Sequence, residues 1–383
     1  MITRAGTFVN TLNGYSAFIP KPLPPEPSIK IDKEMYELLS SADRKLGRLD
    51  GITEILPNPD LFVAMYVKKE ALLSSQIEGT QASLIDVINA ESNESGIIDN
   101  TDISEIVNYI SAMKYGLARL KTLPLSLRLI KEIHGILLKD VRGSERSPGE
   151  FRNSQNWIGP AGCTLKNASF IPPTVSEMNI AMADLENFIH DNKSCLPPLI
   201  KIALIHAQFE TIHPFLDGNG RMGRLLIAFW LCEQEILHQP LLYLSYYFKQ
   251  NRTEYYDRLT AIRKQGTWEQ WVRFFLQGII EISDESVKSA KNIIAIKTQC
   301  HDKILSIDGG NSSNLKLLDY LFYQPVVTRK SICKYLDISY PTSGVILKNF
   351  VDMNILKDIS PGKQRNKKYT FYDYLQIMEK GTH

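Results

Sequence analysis

Helical periodicity constrains this chain more than any other feature. Apolar residues recur at three- and four-residue intervals from Asp60 to Ile77, Ile103 to Leu120, Leu125 to Leu138, Ser176 to Ile189, Leu199 to Phe209 and Met222 to Ile236. That spacing gives a helix one apolar face to bury. Successive segments of this kind predict a mainly α fold, a helical bundle. The pattern breaks between Arg152 and Pro173, where Gly159, Pro160, Gly162, Pro172 and Pro173 favour a small hairpin or loop. Upstream, Pro20, Pro22, Pro24, Pro25 and Pro27 favour an extended segment lying over a surface, because proline lacks a backbone donor and resists helical continuation. Another helical stretch, rich in tyrosine, begins near Leu241.

At 383 residues the chain exceeds the usual size of one domain. Residues 283–313 are polar and end in Asp308-Gly309-Gly310-Asn311-Ser312-Ser313, a composition suited to a helical or flexible linker. Beyond it, Asn314 to Tyr323, Arg329 to Leu336 and Pro341 to Met353 read as three short helices. Ile355 to Ile359, a basic turn and Tyr369 to Phe371 follow as two strands and a wing. That order is a winged helix-turn-helix.

The 44 Lys+Arg and 42 Asp+Glu leave a net charge of +2, so no global field marks the chain as a nucleic-acid or membrane binder. Positive charge is instead concentrated in residues 314–383, with 11 Lys+Arg against 6 Asp+Glu, a net of +5 that leaves −3 elsewhere. Lys363, Arg365, Lys367 and Lys368 crowd the wing, and Tyr340, Thr342, Ser343 and Lys348 lie on or beside the recognition helix. DNA contact and protein docking both remain open for this module. The five cysteines (Cys163, Cys195, Cys232, Cys300, Cys333) form no CxxC pair, which argues against a disulfide framework or a zinc site. A soluble cytoplasmic protein without a membrane partner is expected. The longest apolar run, Leu225 to Cys232, is too short to span a bilayer, and the first residues lack an apolar signal core.

Chemistry is concentrated in His213-Pro214-Phe215-Leu216-Asp217-Gly218-Asn219-Gly220-Arg221-Met222-Gly223-Arg224. Pro214 disfavours helical geometry at His213, which sets an imidazole, the commonest general base, just past a helix end. Gly218 and Gly220 remove side chains from a turn so that backbone N–H groups converge on an anion, and the helix opening at Arg221 adds a favourable N-terminus. Arg221 and Arg224, three apart, occupy neighbouring positions on one helical face, and each guanidinium grips phosphate as a fork. Two such forks suit a di- or triphosphate. Asp217 is a hard oxygen ligand of the kind Mg²⁺ takes when phosphates complete its shell. Asn219 serves either the loop backbone or a phosphate.

This run resembles the signature HPFx(D/E)GNGRxxR of the Fic family, with every specified position matched. The likeness extends to Tyr15–Pro25, Gly149-Glu150-Phe151-Arg152, Asn156-Trp157-Ile158-Gly159, Phe170-Ile171-Pro172-Pro173 and Tyr243–Tyr256, covering roughly residues 14 to 280. The resemblance implies a helical Fic bundle with a small β-hairpin flap, and transfer of AMP from ATP to a Ser, Thr or Tyr hydroxyl of a target protein or of the enzyme itself. His213 would deprotonate the hydroxyl and Asp217 would hold Mg²⁺. Phe215 and the Gly218-Asn219-Gly220 turn would form the phosphate-binding loop, and Arg221 and Arg224 would take the outer phosphates. Phe170, Ile171 and Pro172 fall where the family docks its target as an added strand, and Tyr247 and Asn251 where it contacts the nucleoside. A homodimer is a further expectation of the family. The implied division is an N-terminal extended and helical region (1–100), a Fic core (101–282), the linker (283–313) and the winged helix (314–383). Another nucleotide donor, removal of AMP with Glu78 orienting water, and a DNA-binding regulator with a ligand-sensing core are alternative readings. The intact base and arginines weigh against the last.

Ser74-Ser75-Gln76-Ile77-Glu78-Gly79 also matches the (S/T)xxxE(G/N) pattern with which the family inhibits itself. Ser74 and Glu78, four apart, share one helical face, and Gly79 suits the position after a helix end. A glutamate there opposes the helix dipole and needs a cationic partner. The partner expected is Arg224.

Overall fold

The computed structural model describes residues 3–12, 14–55, 59–91, 101–160, 162–193, 195–308, 311–360, 362–363 and 367–382. Gly309 and Gly310 of the expected linker and Arg365 of the expected wing lie outside them. An antiparallel hairpin, β1 (Gly6–Asn10) and β2 (Ser16–Pro20), opens the chain and pairs Phe8 with Phe18. The extended proline-rich segment therefore begins as a strand. Helices α1 (Lys33–Ile55), α2 (Pro59–Ile77), α3 (Leu84–Glu91), α4 (Thr101–Leu120) and α5 (Leu127–Leu137) follow. After α5 come α6 (Val175–Ile189), α7 (Pro198–Ile212), α8 (Asn219–Glu233), α9 (Ser245–Gln250), α10 (Arg252–Gln265) and α11 (Trp268–Asp308). The last elements are α12 (Ser312–Tyr323), β3 (Val326–Thr328), α13 (Arg329–Leu336), α14 (Tyr340–Asp352), β4 (Lys357–Asp358), β5 (Lys368–Thr370) and α15 (Tyr372–Glu379).

The mainly α expectation holds, with small antiparallel sheets. At the centre stands α7, buried on every face from Leu199 to Ile212, the signature of a core helix. His206 ties it to its neighbours, one ring nitrogen 2.9 Å from the Gly223 carbonyl and the other 2.9 Å from the Tyr255 hydroxyl. The Trp271 indole adds a hydrogen bond to the Ala203 carbonyl. A helix pinned this way fixes whatever side chain stands at its end.

The polar 283–308 segment continues α11 without a break, so any boundary near 282 falls inside one 41-residue helix. A polar helix of this length persists because its apolar residues, Val287, Ala290, Ile293 and Ile304, are buried. In the last module the sheet order is β3-β5-β4. Two capped helices stand before the β4 and β5 strands: Thr328 and Ser331 form a reciprocal capping box on α13, and Ser339 caps α14. This module is bolted to α2 and α3. Gln324 donates to the Ile88 carbonyl, Lys68 sits 4.8 Å above the Tyr323 ring, and Gln76 donates to the Thr382 carbonyl. Among the described residues no helix is long and apolar enough to cross a membrane.

Candidate active site

The site is assembled where α7 ends and α8 begins. His213 closes α7 in the left-handed region (φ 52°, ψ 61°), a conformation that a residue other than glycine keeps only when its surroundings enforce it. They do so through the backbone: the His213 carbonyl accepts from Arg152 Nε and Asn156 Nδ2, both at 3.0 Å, and the Pro214 carbonyl from the Arg152 N–H at 2.9 Å. Burial, then the nearby Arg263 and Arg152, push the imidazole down to about 3, against the pull of the Glu210 carbonyl and of Glu78. His213 is therefore neutral at physiological pH, the form able to accept a proton.

The turn that follows is held from within. Asn219 brackets the Phe215 peptide, accepting its N–H at 2.8 Å and donating to its carbonyl at 2.8 Å. The asparagine thus serves the loop backbone. Gly218 is left-handed (φ 74°), and a Cβ there would come within 3.2 Å of His134 Nε2, so the position requires glycine. At Gly220 a Cβ would run into the Glu78 carboxylate. With no side chain at 218 or 220, an anion can approach the N-terminus of α8 closely, and the Glu78 carboxylate lies against it. Asp217 Oδ1 accepts from the Gly218 N–H at 2.6 Å.

Arg221 is 1% exposed, donating to Glu105 at 3.2 Å and lying 3.4 Å from Asp217 Oδ1. Arg224 donates from Nε to the Ser74 hydroxyl at 2.8 Å, and from one terminal nitrogen to the Ser74 carbonyl at 2.9 Å and to Glu78 Oε1 at 2.7 Å. Glu78 stands one residue past α2, with Gly79 at φ 101° behind it. Burial works against its charge, but Arg224, joined by Arg221, holds its carboxyl below the usual range. His213, Asp217, the glycine turn, Arg221 and Glu78 line one cleft of about 200 Å³, together with Arg142, Arg146 and Leu216.

Residues 36–118 match the Fic/DOC family N-terminal model, and residues 124–231 match the Fic/DOC family model. The chain belongs to the Fic family. It is 32% identical over 246 residues to the protein adenylyltransferase Fic of Drosophila mojavensis, covering 62% of this chain and 44% of that protein. It is also 33% identical over 174 residues to the enzyme of the same name from Aedes aegypti, covering 45% and 31%. The chain thus spans less than half the length of these curated relatives. A Fic family protein from Desulfovibrio desulfuricans G20 superposes with a TM-score of 0.60 at 18% identity, over 90% of this chain and 97% of that one. A Fic-domain signalling protein from Bacteroides thetaiotaomicron does so with 0.51 at 19%, over 66% and 97%. These two likenesses speak for the fold.

Against this Fic framework, several expected site residues take other positions. Phe215 is fully buried; its ring stacks on His134, 3.6 Å between centroids, beneath the loop. Tyr247, 6% exposed, packs against Phe274 at 4.9 Å because Gly278 leaves room for its ring. Asn251 donates to the Tyr247 carbonyl between α9 and α10. Neither lines the cleft. Phe170, Ile171 and Pro172 are buried, and most of their backbone groups have partners. Phe170 exchanges both hydrogen bonds with Ile158, the Ile171 carbonyl accepts from the Phe18 N–H, and the Pro172 carbonyl accepts from Gln155.

Reading the sequence alone overlooked His134, Glu105, Arg142 and Arg146. His134 accepts the Gly149 N–H at Nδ1, so its Nε2–H donates to the Asp217 carbonyl at 2.9 Å. Burial lowers it to about 4 and keeps it neutral for that role. Arg152 and Asn156 belonged to segments singled out for family likeness, but their grip on the His213 carbonyl had no local signal.

Proposed function

We propose that this Fic protein transfers AMP from ATP to a protein hydroxyl, and that Glu78 holds it off at rest. The observation that carries the reading is the capture of Arg224 by Glu78 beside a neutral His213 in the same cleft. In the active state the α8 N-terminus and Arg221 hold the triphosphate, and Arg224, freed from Glu78, takes the γ-phosphate. The His213 imidazole accepts the hydroxyl proton as that oxygen bonds to the α-phosphorus, and diphosphate leaves with the bridging oxygen. Positioning and charge stabilisation supply most of the rate. Asp217 fits a Mg²⁺ site: it lines the cleft, with Arg146 3.7 Å from its Oδ2, and one carboxylate suffices when phosphates supply other ligands. Bound there, Mg²⁺ would neutralise phosphate charge. The flap paired at Ile158 and Phe170 docks the target segment. Residues 314–383 are a winged helix, and their packing on α2 favours docking within the chain over DNA.

The test is incubation of Glu78→Gly protein with α-labelled ATP, Mg²⁺ and cell lysate. Label enters a discrete protein band, and His213→Ala lowers the rate by roughly 100- to 10,000-fold, the usual worth of a general base. Absence of label from every band, or equal labelling by the His213→Ala protein, would overturn the reading.

A further inference from the structure

Arg142 and Arg146 enter the cleft from the loop after α5, outside the 213–224 run. The loop is fixed by two turn hydrogen bonds, Ser144 N–H to the Val141 carbonyl and Arg146 N–H to the Gly143 carbonyl, both 2.9 Å. Gly143 lies against the Asp217 side chain. Arg142 Nε is 3.5 Å from Glu105 Oε1, whose partner oxygen holds Arg221 at 3.2 Å. On the other side, Arg146 is 3.7 Å from Asp217 Oδ2, whose partner oxygen lies 3.4 Å from Arg221. Cation and anion therefore alternate in one chain: Arg142, Glu105, Arg221, Asp217, Arg146.

The members of this chain differ in freedom. The Arg221 side chain is 1% exposed, whereas those of Arg142 and Arg146 are 59% and 52% exposed. Contacts of 3.5 and 3.7 Å are longer than hydrogen bonds, and each guanidinium is more than half exposed, so water screens its attraction to the carboxylate. Arg142 and Arg146 exchange a carboxylate for a phosphate at little cost. Arg221, sealed between two helices, does not move so readily.

We propose that Arg142 and Arg146 form a second phosphate-binding pair, holding the β- and γ-phosphates of the nucleotide, and then the diphosphate, from the α5 side of the cleft. This rests on the nucleotide reading above. A triphosphate brings more negative charge than Arg221 alone offsets, and Arg224 is occupied at rest. Two further guanidinium forks match phosphate oxygens in geometry as well as charge. They also stay in contact with the diphosphate as the bond to the α-phosphorus breaks, which is when its charge grows.

The experiment is calorimetric titration with inorganic pyrophosphate, ATP and AMP. The parent is the Glu78→Gly protein, compared with the same protein carrying Arg142→Gln and Arg146→Gln. Pyrophosphate and ATP should bind about tenfold or more weakly to the glutamine variant while AMP changes less than about twofold, as expected from losing charge-assisted hydrogen bonds to the outer phosphates alone. Arg142→Lys and Arg146→Lys should recover part of the loss by restoring charge without the fork. Undiminished pyrophosphate and ATP binding by the glutamine variant would overturn the second pair and leave the nucleotide reading standing. Equal weakening of AMP would make the arginines scaffold and overturn it as well. A parent that binds none of the three would remove the nucleotide reading, and this pair with it.

Discussion

Arg221 and Arg224 lie three residues apart on α8, 1% and 4% exposed, yet their carboxylate partners come from different kinds of place. Glu105 sits within α4, itself 1% exposed, and also accepts from Thr80 at 3.2 Å and pairs with Arg142. Glu78 stands beyond the last turn of α2 with 31% of its side chain exposed, and its oxygen meets Arg224 through one hydrogen bond. A pair locked between two helix interiors has no low-cost alternative, because separating it strands a buried charge. A carboxylate at a helix end can swing into water and leave its guanidinium to a phosphate. Burial of the arginine therefore says little about its role, and the mobility of its partner says much.

The sharpest way to break this contrast is Glu105→Ala. It removes the buried partner of Arg221 and should cost about 3–5 kcal/mol in urea unfolding. A cost under about 1 kcal/mol would mean that Arg221 is as exchangeable as Arg224. Glu78→Gly should cost less, about 2–3 kcal/mol, because Arg224 keeps both contacts to Ser74. Here ATP should restore what is lost, so that saturating ATP raises the thermal midpoint more in the variant than in the parent. Equal rises would sink the brake.

The surroundings of Arg224 also carry a pH signature. Glu210 is buried, its Oε1 has no hydrogen-bond partner among the described residues, and burial pushes its carboxyl up to about 7. Its folded value lies above the unfolded one, so the folded state holds the extra proton between about 4.5 and 7, and stability falls as pH rises through that window. Glu210→Gln should therefore gain about 1–2 kcal/mol over the parent on going from pH 5 to pH 8. A pH-independent difference would show that Glu210 keeps an ordinary carboxyl. Smallest of all, Ser74→Ala removes one hydrogen bond to Arg224 and should cost about 0.5–1.5 kcal/mol, raising AMP transfer less than Glu78→Gly does.

The helices of the bundle and the short helices of the last module were legible because periodicity acts within a few residues. Asp60 to Ile77 and Ile103 to Leu120 were read within two residues of α2 and α4. The polar tail of α11 was taken for a linker because its burial depends on surfaces supplied by distant elements. Tyr247 was read as a nucleoside contact, although Gly278, far along the chain, opens the gap its ring fills. The 170–172 segment was read as a docking flap, and its bond to β2, from Phe18 to Ile171, joins residues far apart in sequence.

By itself, the sequence determined the helical bundle, the base at a helix end, the glycine turn before a helix N-terminus and two arginines on one face. These are consequences of spacing over a dozen residues, and they hold wherever the segment is placed. Only tertiary structure decided that Arg221 meets Glu105 across 116 residues and Arg224 meets Glu78 across 146, and that Arg142 and Arg146 reach the same cleft. The reason is physical: a charge in a close-packed interior must find its opposite, and which one lies within reach depends on how the helices pack.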